Sequence, residues 1–88
     1  MEHRVALLGI VIENLDSVEI LNNILHQYNP FIIGRMGIPY RAKNLHLISI
    51  AIDAPLDTLN TIAGKLGRLP GVRVKTTLAS SSTADDKN

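Results

Sequence analysis

The chain has 88 residues, 45% of them hydrophobic and 19% charged, with a formal net charge of +1 and no cysteine. These values fit one small globular domain, not a disordered chain, and they argue against a nucleic-acid or membrane surface built on bulk charge. The missing thiols exclude disulfides, thiolate metal sites and a cysteine nucleophile.

The chain opens on "HRVALLGIVIE", residues 3–13. It is rich in Val, Ile and Leu and reads as a strand that is apolar on both faces. Its apolar run, residues 5–12, is broken only by Gly9. The run is too short to cross a bilayer and lacks the pattern of a signal peptide, so a soluble, cytoplasmic protein is expected. "DSVEILNNILHQY" follows, with Val18, Leu21, Ile24, Leu25 and Tyr28 at helical spacing. Asp16 and Glu19 resemble a capping box, which predicts a helix start there, and Asn29-Pro30 ends the helix.

"FIIGRMGIPY" predicts a second strand, and "RAKN" a turn. "LHLISIAID" predicts a third strand. Pro55 suits the first turn of a second helix over "LDTLNTIAGKLGRL", whose stripe is Leu56, Leu59, Ile62, Ala63 and Leu66. Leu-Pro-Gly at 69–71 ends that region, and "GVRVKTTL" alternates cleanly as a fourth strand. The last ten residues, "ASSSTADDKN", are small, polar and aperiodic. They read as a disordered tail, 79–88, behind one domain, 1–78.

Two strand-helix-strand units with right-handed crossovers predict an α+β fold, a ferredoxin-like βαββαβ sandwich. Its antiparallel sheet would run 4-1-3-2 with both helices on one face. Strand parity then assigns faces. Leu8, Ile10 and Ile12, with Ile48, Ile50 and Ile52, should meet the helices, as should Val72, Val74 and Thr76. In strand two the same parity turns Ile32, Met36, Ile38 and Tyr40 inward. The open face should carry Val5, Leu7, Gly9 and Val11 beside Leu47, Ser49 and Ala51. Arg73 and Lys75 would form one rim, Arg35 and Arg41 the other. An open face with an apolar centre marks association. A homodimer or homotetramer is expected, with Val5, Leu7, Val11, Leu47 and Ala51 at its interface. A domain of this size buries only about two-thirds of its unfolded surface, so association would also stabilise it.

Several activities of this fold lack their residues. RNA recognition needs aromatics on strands one and three, but the aromatics are Tyr28, Phe31 and Tyr40. An acylphosphatase needs a glycine-rich anion loop with an arginine after strand one, and that loop is "ENLDS". No nucleophile stands beside a base, so no enzyme is expected. His3, His26 and His46 match no common metal spacing, and neither a metal nor another cofactor is expected. Gly64 lies inside a helix, where glycine costs about 1 kcal/mol against alanine. Close helix-to-sheet packing or a ligand pressed on the backbone would account for it.

Arg35, Gly37 and Pro39 in "RMGIPYR", Gly64 to Gly67 in "GKLG", and Gly71, Val72, Val74 and Lys75 in "GVRVK" carry a family resemblance. Over residues 35–76 the chain resembles the small regulators assigned to the iron-only hydrogenase system. That family looks like ACT domains and like the sensing domain of the nickel-responsive repressor. The resemblance implies a ferredoxin-like fold, oligomerisation and a regulatory role, with transcription as the level of control. Two departures matter. The loop after strand one lacks the glycine of amino-acid-binding ACT domains, and no cysteine is available for a nickel site of the repressor type. The 88 residues also hold no helix-turn-helix or ribbon segment, so direct nucleic-acid binding is not expected.

Two roles fit these readings. One is a ligand-sensing regulatory module that works as a homo-oligomer, with a small anionic ligand at Arg35, Gly37 and Gly64, near the start of the second helix. Arg35 would supply charge, and Gly37 would let the ligand reach the backbone. The other is a ligand-free assembly module for a larger enzyme or regulator.

Overall fold

The computed structural model describes residues 2–79. The chain runs β1 (His3–Ile12), α1 (Ser17–Gln27), β2 (Ile32–Tyr40), β3 (Leu45–Pro55), α2 (Leu56–Gly67) and β4 (Val72–Leu78). Short 3-10 turns, Asn29–Phe31 and Arg41–Lys43, lead into β2 and β3. The sheet order is β2-β3-β1-β4, the expected order read from the other edge, and every neighbouring pair is antiparallel. The two most apolar strands, β1 and β3, lie in the centre. Their core residues pair directly, Leu8 with Ile50 and Ile10 with Ile48. From the helices, Leu21 and Leu25 of α1 and Leu59, Ile62 and Leu66 of α2 close the core, all buried. Burying each such side chain stabilises the fold by roughly 1.5–3 kcal/mol. Leu56, read as part of the stripe, is exposed instead, because it is the first residue of α2 and precedes the turns that pack.

The end of the sheet at Ile12 and Val72 is held by polar and backbone contacts. The capping box does not form: Asp16 flanks α1 without a side-chain bond. Instead the Asp16 N–H donates to Asn14 Oδ1 at 3.0 Å, a turn typical of Asn. Ser17, only 2% exposed, donates its hydroxyl to the Pro70 carbonyl at 2.7 Å and ties α1 to the loop before β4. That loop is a tight turn in which the Val72 N–H reaches the Leu69 carbonyl. Proline at its second position and glycine at its third, with φ +68°, fit a type II turn. The Glu13 N–H bonds the Gly71 carbonyl, which brings the backbones together. A Cβ on Gly71 would stand 2.7 Å from both Asn14 N and Asn14 Cβ. Backbone angle and space both demand glycine there.

Gly64 is the opposite case. A Cβ there would meet only the Arg68 side chain, at an ordinary 3.7 Å. Tight packing on the sheet therefore does not explain it. Ala79 still pairs, its N–H donating to the Val5 carbonyl, and the predicted disordered tail beyond it lies outside the described residues. No helix among the described residues is long and apolar enough to cross a membrane.

These two glycines should respond to alanine with opposite signs. Gly71→Ala should cost about 2 kcal/mol or more, from left-handed strain and the Asn14 clash. Gly64→Ala should stabilise by about 0.5–1 kcal/mol. Urea denaturation of both variants checks the pair.

Candidate functional site

The face assignments of β2 differ from strict alternation. Ile32 pairs with Ile52, but Gly34 pairs with Ala51, so two residues of β2 stand against one of β3. This bulge at Ile33–Gly34 reverses the parity of everything after it. Arg35 then pairs with the buried Ile50 and Gly37 with Ile48, which puts both on the helix side of the sheet. Met36, Ile38 and Tyr40 pair with Ser49, Leu47 and Leu45 and turn to the open face, where they are 59%, 45% and 47% exposed. The expectation that they point inward, and that Arg35 and Gly37 point outward, is corrected by this one extra residue. Arg41 is not on the sheet at all, because β2 ends at Tyr40 and Arg41 starts a 3-10 turn.

The open face now has a defined composition. Val5 and Leu7 are exposed, while Val11, Leu47 and Ala51 are half-buried. Leu7 pairs with Ala51 and Val11 with Leu47, so these predicted interface residues form one patch over β1 and β3. The residues missed were Met36, Ile38 and Tyr40, which extend the patch across β2. Gly34 was the available signal, since glycine inside a strand often marks a bulge. A shallow apolar groove of about 120 Å³ lies at the β1–β4 end, lined by Val5 and Leu7 of the open face and by Ala6 and Leu78, which pair on the helix side. Charge is confined to the margins and has both signs. Arg73 lies 3.9 Å from Glu13, and His3 lies 3.5 Å from Asp53. Without Arg35 and Arg41, the β2 rim is apolar, not basic.

The helix side of β2 brings a different set together. Arg35 Nη2 donates to Asn22 Oδ1 of α1 at 2.7 Å. An arginine can only donate, so the oxygen of the Asn22 amide must face it. A Cβ on Gly37 would lie 3.5 Å from Nε2 of His46, so the imidazole stands beside a bare stretch of backbone. Gly64 does not join this set. It lies on α2, which packs mainly over β4, β3 and β1, and its nearest neighbour is Arg68 of its own helix. Among the described residues there is no group of three or more His, Asp or Glu placed to hold a metal ion.

A family model described as "TM1266-like: Iron-only hydrogenase system regulator, putative" matches residues 4–76. The chain belongs to the TM1266-like family. A solved structure of the uncharacterized protein TM1266 from Thermotoga maritima is similar at 34% identity with a TM-score of 0.86, covering 90% of this chain and 100% of that one. No curated protein matches. The family match includes the bulge of β2, both of its glycines, Asn22 and His46 within one continuous span.

In this TM1266-like chain the Arg35–Asn22 bond is exposed. Such bonds contribute little, so Arg35→Ala should change stability by less than about 1 kcal/mol. A urea midpoint close to that of the unsubstituted chain checks this.

Proposed function

We propose that the chain is a non-enzymatic, cytoplasmic regulatory module that works as a homo-oligomer through the open face of its sheet and responds to a small anionic ligand. Its place would be the regulation of an iron-only hydrogenase system, as the family description suggests. The observation that supports this best is the apolar patch running across β1, β3 and β2, with Leu7 at 53% exposure and Met36 at 59%.

A face of this kind is expensive to leave in water. Four strands about 4.8 Å apart and roughly 30 Å long present a footprint on the order of 500 Å². That is the scale of a standard interface, about 800 Å² of accessible surface per partner. The occupant favoured by charge is a second copy. The margins hold Arg73 and Lys75 but also Glu13 and Asp53, so two copies of the face can be complementary. A nucleic-acid surface would instead gather one sign. The two helices are separated by strands β2 and β3, so no helix-turn-helix forms among the described residues. An effect on transcription would therefore act through a DNA-binding partner.

Sedimentation equilibrium tests the reading. The unsubstituted chain should be a dimer or tetramer at micromolar concentration. Leu7→Lys or Ile38→Lys would bury an unpaired ammonium at the contact and should weaken association about 100-fold or more. A monomer at micromolar concentration, with no shift on either substitution, removes the oligomeric reading.

A further inference from the structure

We infer that the helix side of β2 holds a small oxyanion, a carboxylate or phosphate group, between Arg35 and His46 over the bare backbone of Gly37. The inference rests on the reading of the chain as a ligand-responsive module, and it places the site within a single subunit.

Three observations converge. First, Arg35 and Gly37 are two residues apart on one strand, with Cα atoms about 6.6 Å from one another, and the bulge at Ile33–Gly34 turns both to the helix side. Second, Arg35 is positioned by a neutral group. Asn22 Oδ1 takes one of its nitrogens at 2.7 Å, and among the described residues no carboxylate lies within ion-pair distance of it. A guanidinium has five N–H donors, so most remain available, and its charge is not compensated. The contrast is Arg73, whose neighbour Glu13 offsets it. An arginine anchored by an amide is oriented for an incoming anion without being neutralised first.

Third, nothing in the fold requires glycine at 37. Its φ is not in the left-handed region, and a Cβ would make only an ordinary 3.5 Å contact with His46 Nε2. Glycine inside a strand weakens the strand. Its local effect here is to leave an open notch flanked by the Arg35 stem and the His46 ring. His46 is half-buried and pairs across the strands with Pro39, which holds its backbone in place at the far end of the notch. The His46 imidazole and the Asn22 amide are the neighbouring polar groups, and each has an N–H that could donate to an anion held by Arg35.

The test is an NMR titration of the full ¹⁵N-labelled chain, with inorganic phosphate in one series and succinate in another, at constant ionic strength and pH. The expected result is saturable shifts at the Gly37 amide, the Asn22 side-chain amide and the His46 ring. The series that saturates at lower concentration identifies the class. Arg35→Ala should weaken binding at least tenfold. Gly37→Ala should weaken it several-fold while keeping the native spectrum, because the methyl fits the protein but fills the notch. Shifts that stay linear in both series, or affinities unchanged in Arg35→Ala, would overturn the site. Sedimentation of the same samples separates the two readings. An oligomer without saturable binding sinks this inference alone, whereas a monomer that binds leaves it standing and removes the oligomeric role.

Discussion

Everything distinctive about the two surfaces follows from one unpaired residue. β2 joins the sheet with Ile32 against Ile52 and then spends two residues, Ile33 and Gly34, against Ala51. Because side chains alternate with a period of two, that single step exchanges the faces of all residues after it. It takes an arginine and a glycine off the open face and puts a methionine, an isoleucine and a tyrosine there. The bulge sits on an edge strand, where the missing ladder bonds are tolerated, and Pro39 on the same strand lacks a donor for the outer edge. The strand that is least constrained by the core is thus the one whose register determines both the apolar patch and the Arg35 cluster.

The central part of the fold was legible because its patterns are repeated and mutually consistent. β1 and β3 each carry apolar residues on both faces, so they had to be central, and the helices carry their buried leucines and isoleucine at three- and four-residue spacing. Leu69-Pro70-Gly71 was readable as a stop, and its turn chemistry is what the structure uses. β2 was not legible in the same way. Its sequence alternates acceptably in either phase, since Met36, Ile38 and Tyr40 are as suited to a core as to an interface. The choice is made by pairing with β3, and Gly34 is its one local sign. The capping box failed for a related reason. Asp16 and Glu19 have the right spacing, but Asn14 and the buried Ser17 already fix the entry to α1 through Pro70, so the start of the helix is set by tertiary contacts.

The partial legibility of the candidate site has the same origin. Arg35 and Gly37 were identifiable as an arginine and a glycine that strand formation does not need. Their neighbours were not, because Asn22 and His46 reach them from α1 and from β3. Gly64 looked equivalent in the sequence, a glycine inside a regular element. In the structure it sits on a helix that packs over the β4, β3 and β1 part of the same sheet face, and only the open space around it is shared with Gly37.

The two proposed surfaces are linked through β2 itself. Arg35 points to α1, and the next residue, Met36, points to the open face, so consecutive side chains of one strand belong to different sites. β2 is an edge strand paired only with β3, and a change in its twist at Arg35 and Gly37 would tilt Met36 and Ile38 with it. A ligand that prefers one setting of β2 would then favour the subunit arrangement that packs best on that setting. By linkage, assembly would alter ligand affinity by the same factor. The direction of that coupling depends on whether the anion draws β2 toward α1 or lets it relax. The Asn22 bond holds Arg35 toward α1. An anion at Arg35 would add to that hold, so it would favour the β2 setting that keeps Arg35 against α1 and Met36, Ile38 and Tyr40 on the open face. On this reading the ligand promotes assembly.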